Sequence, residues 1–251
     1  MLDALRSDAQ VPDNTMNRRI FLMNLTTFAA LPLVSRRLWA DEETSGWRNV
    51  LNDQGVAVWN RYDSGRTLPV FKGISTIDAG LFELLAVLDD TARHTEWIFN
   101  CSVARVIKQI NEFDRLVYNR TAAPWPVSDR DVVLSASVEA SMVRKEVVSR
   151  FSSIESGLQP KVDGVVRMPR LRGFWRFTFV DERRTRVTYQ IDADPGGALP
   201  DFIVERASRK LPLETINGMR KQVVRTRGKY ATFLQKYDPS AGGKIPEQFL
   251  K

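Results

Sequence analysis

The feature that most constrains the fold is a series of strand-like runs in the middle of the chain. After Asn100, apolar and polar residues alternate, and turns rich in Gly, Pro and charged residues separate the runs. The runs cover residues 103–109, 115–118, 131–141, 146–154, 165–168, 174–180 and 186–191. Because consecutive strands with short connections pair side by side, the series predicts a large antiparallel sheet.

The longest helical pattern of the chain follows the last of these runs. Its apolar face comprises Ile216, Met219, Val223, Tyr230, Phe233 and Leu234. We expect Pro212 to interrupt or kink this helix, because proline lacks an amide donor and crowds the preceding turn. A curved sheet with one amphipathic helix on its concave face is an α+β architecture, which encloses a tunnel unless side chains fill it.

Shorter elements are predicted ahead of this sheet. Residues 47–51 read as a short helix ended by a glycine, 56–59 and 68–77 as strands joined by a turn, 79–89 as an amphipathic helix, and 91–97 as a second short helix.

The beginning of the chain has the pattern of a targeting segment. Arg18 and Arg19 precede an apolar stretch of about 15 residues, shorter than the roughly 20 that a membrane-spanning helix needs. Ala40 offers a small residue for cleavage. The run 17–23 resembles a bacterial twin-arginine signal, with departures at its first and last residues.

Three parts of the chain are therefore predicted. Residues 1–40 are a signal peptide, 45–237 form one folded domain, and 238–251 form a C-terminal tail. The signal predicts a periplasmic or exported protein, and an uncleaved signal that keeps it at the membrane is the alternative.

The composition excludes several kinds of site. One histidine, His94, and one cysteine, Cys101, cannot build a His-rich metal site, a disulfide or a cysteine zinc cluster. We expect no cofactor and no metal, and we interpret Cys101 as a small buried side chain. The formal net charge of +7 has two interpretations, solubility or attraction to anionic lipid headgroups. No basic run with interleaved aromatic residues suits nucleic acid. No nucleophile elbow, phosphate-binding loop or dinucleotide fingerprint is present in the sequence.

Three blocks of sequence resemble the START (StAR-related lipid-transfer) domain family. Residues 121–131, Thr-Ala-Ala-Pro-Trp-Pro-Val-Ser-Asp-Arg-Asp, resemble the family's Pro-x-Pro-x-Ser-x-Arg-Asp segment. Residues 166–168 followed by 173–175 resemble a second block, and 189–200 resemble the segment that leads into the C-terminal helix. Trp97, which follows an acidic helix end at Asp89 and Asp90, also resembles the family's pattern. The blocks keep the family's order and spacing, and the resemblance spans about residues 46–235.

The resemblance implies a helix-grip fold, a curved antiparallel sheet wrapped around a long C-terminal helix with an internal hydrophobic tunnel. One lipid or other hydrophobic molecule would be carried there without catalysis, gated by that helix, with transient contact to a membrane surface. An apolar tunnel removes a cost of roughly 0.8 kcal/mol for each CH₂ group kept from water. Two alternatives stay open: a polyketide cyclase or aromatase, using Arg130 with Tyr118 or His94 as acid and base, and a lipid-sensing regulatory module.

The residues that recognise known cargos in this family are not carried over. Counted without gaps from Arg130, the positions of the sterol-binding ion pair hold Val117 and Ala136. The positions of the aromatic choline cage hold Asn119, Val132 and Leu171, none of them aromatic. The position of the phosphate-binding arginine holds His94. The resemblance leaves the class of lipid open.

Ten residues are candidates for ligand contact. They are Trp97, Tyr118, Arg130, Arg167, Trp175, Phe177, Tyr189, Phe202, Arg206 and Met219. Trp175, Phe177 and Phe179 alternate along one strand, so we expect all three to face inward or all three outward.

Several polar residues have two interpretations. Arg130 and Asp131 form either a structural ion pair at the sheet edge or a pair that polarises the ligand, and Arg167 points outward or into the tunnel. His94 is interpreted as a surface residue with a headgroup contact as the alternative, and 194–197 as a turn. Basic residues of the last helix form either a solvated face or a membrane-docking surface: Arg206, Arg209, Lys210 and Lys221.

Overall fold

The computed structural model describes residues 46–65, 68–197, 199, 201–247 and 250. The predicted signal peptide lies outside the described residues. The described strands are β1 (Arg48–Asp53), β2 (Val56–Arg61), β3 (Val70–Ile77), β4 (Cys101–Gln109), β5 (Arg115–Thr121), β6 (Arg130–Ser141), β7 (Glu146–Ser153), β8 (Val166–Arg167), β9 (Arg170–Asp181) and β10 (Arg184–Asp194). The helices are α1 (Leu81–Asp89), α2 (Asp201–Arg225) and α3 (Ala231–Tyr237), with 3₁₀ helices at Thr91–Glu96 and Pro239–Ala241.

The strands form one sheet in the order β1-β2-β3-β10-β9-β7-β6-β5-β4. Every neighbouring pair along this path is antiparallel, and the short β8 pairs with β6 in the parallel direction. This confirms the predicted antiparallel sheet and, with α2 packed on one face, the α+β helix-grip architecture. The pairing of β3 with β10 joins the first three strands to the end of the series.

Helix α2 packs closely against β3 and against the backbone of Trp97 at two glycines. A Cβ atom on Gly73 of β3 would lie 2.7 Å from Ile216 Cδ1 and 2.9 Å from Pro212 Cβ. A Cβ atom on Gly218 would lie 2.0 Å from the carbonyl oxygen of Trp97. The apolar face of α2 is therefore buried at the centre of the core, with Ile216 and Met219 fully inaccessible.

The predicted interruption at Pro212 is wrong, because α2 runs through this residue. The helix therefore continues past a residue that cannot donate a backbone hydrogen bond, and the proline ring packs against Gly73. The apolar pattern of this region also does not form one helix, since α2 ends at Arg225 and Gly228 adopts a φ of +81° before α3 begins.

The predicted helix at residues 47–51 is also wrong, because this segment is strand β1 and pairs with β2 around a bulge between Asn49 and Leu51. The predicted turn at 194–197 is confirmed: the Asp194 side chain accepts a hydrogen bond from the Gly196 amide at 3.0 Å, and Gly196 has a φ of +66°. No helix in the described ranges is both long and apolar enough to cross a bilayer.

Candidate functional site

A cavity of about 150 Å³ lies between the sheet face that carries α2 and the segment formed by α1 and the following 3₁₀ helix. Its wall takes every second residue of the strands, as expected for one face of a sheet. The strand residues are Arg115, Val117, Asn119, Thr121, Val132, Leu134, Ala136, Val138, Ser149, Phe151, Leu171, Trp175, Tyr189 and Ile191. The remaining wall is Leu85, Leu88, Asp89, Thr91, His94, Ile98, Phe99, Phe113 and Leu211.

An aromatic wall forms one side of this cavity. The Trp175 and Tyr189 rings stack with centroids 4.1 Å apart, and Phe151 lies 6.5 Å from Tyr189. Trp97 and Trp175 contact each other edge to face, with their ring centroids 5.7 Å apart. Burial raises the pKa of the Tyr189 hydroxyl, so this side chain stays neutral and joins an apolar surface.

The polar part of the wall centres on an ion pair. Arg115, which begins β5, is buried, and its guanidinium pairs with the Asp89 carboxylate at the end of α1. Arg115 Nη1 also donates to the Asp89 carbonyl oxygen at 2.9 Å. Burial raises the pKa of the Asp89 carboxyl, and the Arg115 charge opposes that effect.

His94 lies in the cavity wall, so the expectation of a surface residue is wrong. The 3₁₀ helix turns the imidazole inward, where Nε2–H donates to the Leu88 carbonyl at 2.8 Å and the ring meets Trp97 edge to face. Burial lowers the pKa of His94 to about 4, so the imidazole is neutral near neutral pH. Nδ1 has no hydrogen-bond partner among the described residues.

The structure divides the ten candidate residues into groups. Trp175 and Tyr189 line the cavity. Trp97, Phe177 and Met219 are instead buried in the surrounding core, outside the lining. The side chains of Phe202 and Arg206 lie outside the described residues.

The remaining candidates, Tyr118, Arg130 and Arg167, do not belong to the cavity lining. The predicted pairing of Arg130 with Asp131 is wrong, because adjacent residues of a strand point to opposite faces. Asp131 instead pairs with Arg167 of β8 at 2.7 Å and accepts a hydrogen bond from the Tyr118 hydroxyl at 3.0 Å. Arg130 donates to the Ser128 carbonyl oxygen.

The expectation that Trp175, Phe177 and Phe179 share one environment is wrong for the last of them. Trp175 and Phe177 are buried, whereas Phe179 is 40% exposed. The three residues do share a face, but Phe179 lies near the end of β9, where the Phe179 amide hydrogen-bonds to Lys145 at the β6–β7 turn.

Sequence reasoning found some lining positions and missed others. The six positions inferred from the resemblance all line the cavity: His94, Val117, Asn119, Val132, Ala136 and Leu171. Arg115 was missed, although alternation along β5 would have found it once Val117 was placed on the inner face. Asp89 carried no signal of its own, because its approach to Arg115 depends on tertiary packing.

Comparisons with known proteins agree with this geometry. A family model described as START domain matches residues 37–228. The chain is 28% identical over 174 residues to an uncharacterised protein of Pseudomonas aeruginosa, covering 69% of this chain and 85% of that one. It is 24% identical over 200 residues to START domain-containing protein 10 of Mus musculus, covering 79% of this chain and 67% of that one. A STAR-related lipid transfer protein from Xanthomonas axonopodis has a solved structure with a TM-score of 0.65 and 26% identity, covering 71% of this chain and 99% of that one.

Proposed function

Because the chain belongs to the START domain family, we propose that it holds one lipid or other hydrophobic molecule in the cavity and carries it without a catalytic step. Family membership and the similarity to a protein named as a lipid transfer protein support lipid binding or transfer. Non-catalytic action, gating and membrane contact are the parts that we add.

The observation that carries this proposal is the apolar cavity wall. Stacked Trp175 and Tyr189 and the aliphatic residues of β5, β6 and α1 surround a space of about 150 Å³. Each CH₂ group moved from water into such a space gains roughly 0.8 kcal/mol. An alkyl chain therefore supplies the binding free energy with no covalent chemistry.

Loading requires the cavity to widen. An apolar cavity of about 150 Å³ holds a molecule the size of benzene, far smaller than a lipid. Leu211 of α2 lines the cavity, whereas Ile216 and Met219 further along are locked in the core. We propose that the part of α2 before Pro212 moves as the gate while the later part stays fixed.

We also propose that the protein contacts a membrane surface and acts in the periplasm or outside the cell. Lys221 and Arg209 on α2 are exposed, and basic side chains attract an anionic lipid surface. The predicted signal peptide would bring the protein to the periplasm or outside the cell, where lipid must cross water between membranes.

The first test is native mass spectrometry of the full chain purified from bacteria, followed by solvent extraction of any bound molecule. One stoichiometric lipid per chain is the expected result. A protein mass without ligand that stays unchanged after incubation with mixed liposomes would contradict the proposal.

The cyclase alternative needs an acid and a base in the cavity. Of its expected residues, Tyr118 and Arg130 do not belong to the described lining, and His94 does. The same solvent extraction distinguishes a cyclase from a carrier. A cyclase would yield a product that differs from the molecule supplied, whereas a carrier would return that molecule unchanged. A transfer assay between vesicles separates a carrier from a sensor, because a sensor binds lipid without delivering it.

A further inference from the structure

We propose that the C-terminal segment from Tyr230 to Ile245 closes one end of the cavity through Phe113, and so limits the length of the acyl chain that the protein accepts. This inference rests on the proposed function, since it concerns the ligand of the same cavity. It gives a role to a part of the chain that lies beyond residues 37–228, where the family model matches.

Phe113 belongs both to the cavity wall and to a hydrophobic cluster formed with the C-terminal segment. Its side chain lines the cavity and is only 4% exposed. Its ring packs against Tyr237 of α3 with centroids 4.8 Å apart, and against Phe233 edge to face at 6.3 Å. Val138 also lines the cavity and contacts the same cluster, to which Ile245 adds an aliphatic side chain. The Phe113 ring therefore separates the cavity from the C-terminal segment.

Polar contacts hold this segment in place. Glu112, which precedes the phenylalanine, accepts a hydrogen bond from the Tyr237 hydroxyl and pairs with the Lys236 ammonium group. These two donors lower the pKa of the Glu112 carboxyl, so the contact keeps its charge at neutral pH. The Tyr230 hydroxyl donates to Asp90 Oδ2 at 3.0 Å, just after the end of α1. The segment is thus fixed to the cavity wall at both of its helical ends.

Phe113 stands at one end of a row of lining residues. Every second residue of β5 from Arg115 to Thr121 lines the cavity, a distance of about 20 Å at roughly 3.3 Å per residue. Phe113 lies two positions before Arg115 and ends this row. Because Arg115 is paired with Asp89, this end of the cavity carries balanced charges and takes the end of an alkyl chain.

A fixed end wall makes binding depend on chain length. Each two CH₂ groups that the cavity shelters from water strengthen binding by about tenfold or more. A chain that is too long must leave its excess in water or displace the Phe113 ring. The widening that loading requires occurs at the gate in α2, while the end wall stays in place.

The test supplies the full-length chain with vesicles of a total bacterial lipid extract, which present several headgroups with a range of acyl-chain lengths. Bound lipid is extracted, and mass spectrometry gives the ratio of longest to shortest acyl chains relative to the vesicles. In Phe113→Ala the cavity joins the space beside Tyr237, so we expect this ratio to rise by about tenfold or more over the wild type. Phe113→Trp should lower the ratio, because the larger ring shortens the cavity.

Phe174→Ala is the matched control. It makes the same change at a half-buried position on the outer face of β9, away from the cavity lining, and should keep the wild-type ratio. Tyr237→Ala removes the ring that supports Phe113 and should raise the ratio, whereas Tyr237→Phe keeps the ring and should not. Circular dichroism melting checks that each variant is folded.

The outcomes separate the two proposals. If the wild-type chain takes up no lipid, the proposed function fails. If it loads lipid, but folded Phe113→Ala keeps the wild-type ratio or changes it no more than Phe174→Ala does, the end wall is overturned and the carrier function stands. If Phe113→Ala does not fold, Phe113→Leu decides by the same ratio, because leucine keeps an apolar side chain without the ring.

Discussion

Tyr189 of β10 lies directly opposite Trp175 of β9, and their rings stack 4.1 Å apart with planes inclined by 16°. This cross-strand pair forms the aromatic wall of the cavity and also joins the cavity to the core through Trp97 and Phe177. The same side chains therefore serve both the stability of the sheet and the contact surface for a ligand.

Trp175→Ala is expected to lower both stability and lipid loading. Removing this buried indole should cost about 3–5 kcal/mol of unfolding free energy, because the space left behind does not fully collapse. Urea unfolding gives the stability, and native mass spectrometry gives the lipid bound per folded chain. Phe179→Ala is the control on the same strand, at a partly exposed position. Normal loading in folded Trp175→Ala would remove this residue from the binding surface.

Ala136→Trp is expected to block loading by filling the cavity. Ala136 lines the cavity in the middle of β6, whereas the adjacent Ser137 is exposed on the opposite face. The indole added at position 136 occupies the space that a ligand needs. Ser137→Trp introduces the same side chain outside and should load normally. The measurement is the ligand-bound fraction in native mass spectra, and equal loading of both variants would place the ligand elsewhere.

Gly218→Ala is expected to destabilise the fold by about 1–3 kcal/mol or more, because its Cβ would overlap the backbone carbonyl of Trp97. Gly157→Ala is the matched control, since its Cβ meets nothing within 4 Å. The measurement is the urea concentration at the midpoint of unfolding for each of the two variants. Equal midpoints would show that α2 does not approach Trp97 this closely.

The His94 imidazole should make stability depend on pH. Its folded-state pKa of about 4 lies below the ordinary value of 6.5, so the unfolded chain takes up the proton first. The contribution is therefore complete above pH 6.5 and is lost as pH falls toward 4, by up to about 3 kcal/mol at 1.36 kcal/mol per pH unit. Asp89, with its raised pKa, acts in the opposite direction.

His94→Gln isolates this contribution, since an amide can still donate to the Leu88 carbonyl but does not titrate. We expect its unfolding free energy to fall less steeply than that of the wild type below pH 6.5, while the carboxylates contribute equally to both proteins. Parallel curves from denaturant titrations at a series of pH values would mean that the imidazole is not buried.

Arg167→Leu is expected to reduce stability and leave lipid affinity unchanged. Its partner Asp131 is only 1% exposed, and removing one member of such a buried pair typically costs about 3–5 kcal/mol. Arg184→Leu breaks an exposed pair with Asp181 and should cost much less stability than Arg167→Leu, because water screens an exposed pair. Weaker lipid binding by folded Arg167→Leu would instead assign this arginine to ligand recognition.

Strand and helix identity was largely determined by local sequence. The alternation in residues 131–141 and 174–180 appears as β6 and β9, and the apolar spacing of 79–89 appears as α1. The resemblance, counted without gaps from Arg130, also identified Val117 and Ala136, and both line the cavity.

Only the tertiary structure decided which residues meet. Local periodicity does not say which strands pair, so it could not bring Arg167 of β8 to Asp131 or make residues 47–51 a strand on β2. Nor could it place Asp89 against Arg115, which lies 26 positions away. An ion pair or buried imidazole depends on distance and on exclusion of water, and both arise from contacts between segments far apart in the chain. The sequence by itself determined most of the strands and helices, and the packing of α1 and the 3₁₀ helix on the sheet determined the chemistry of the cavity.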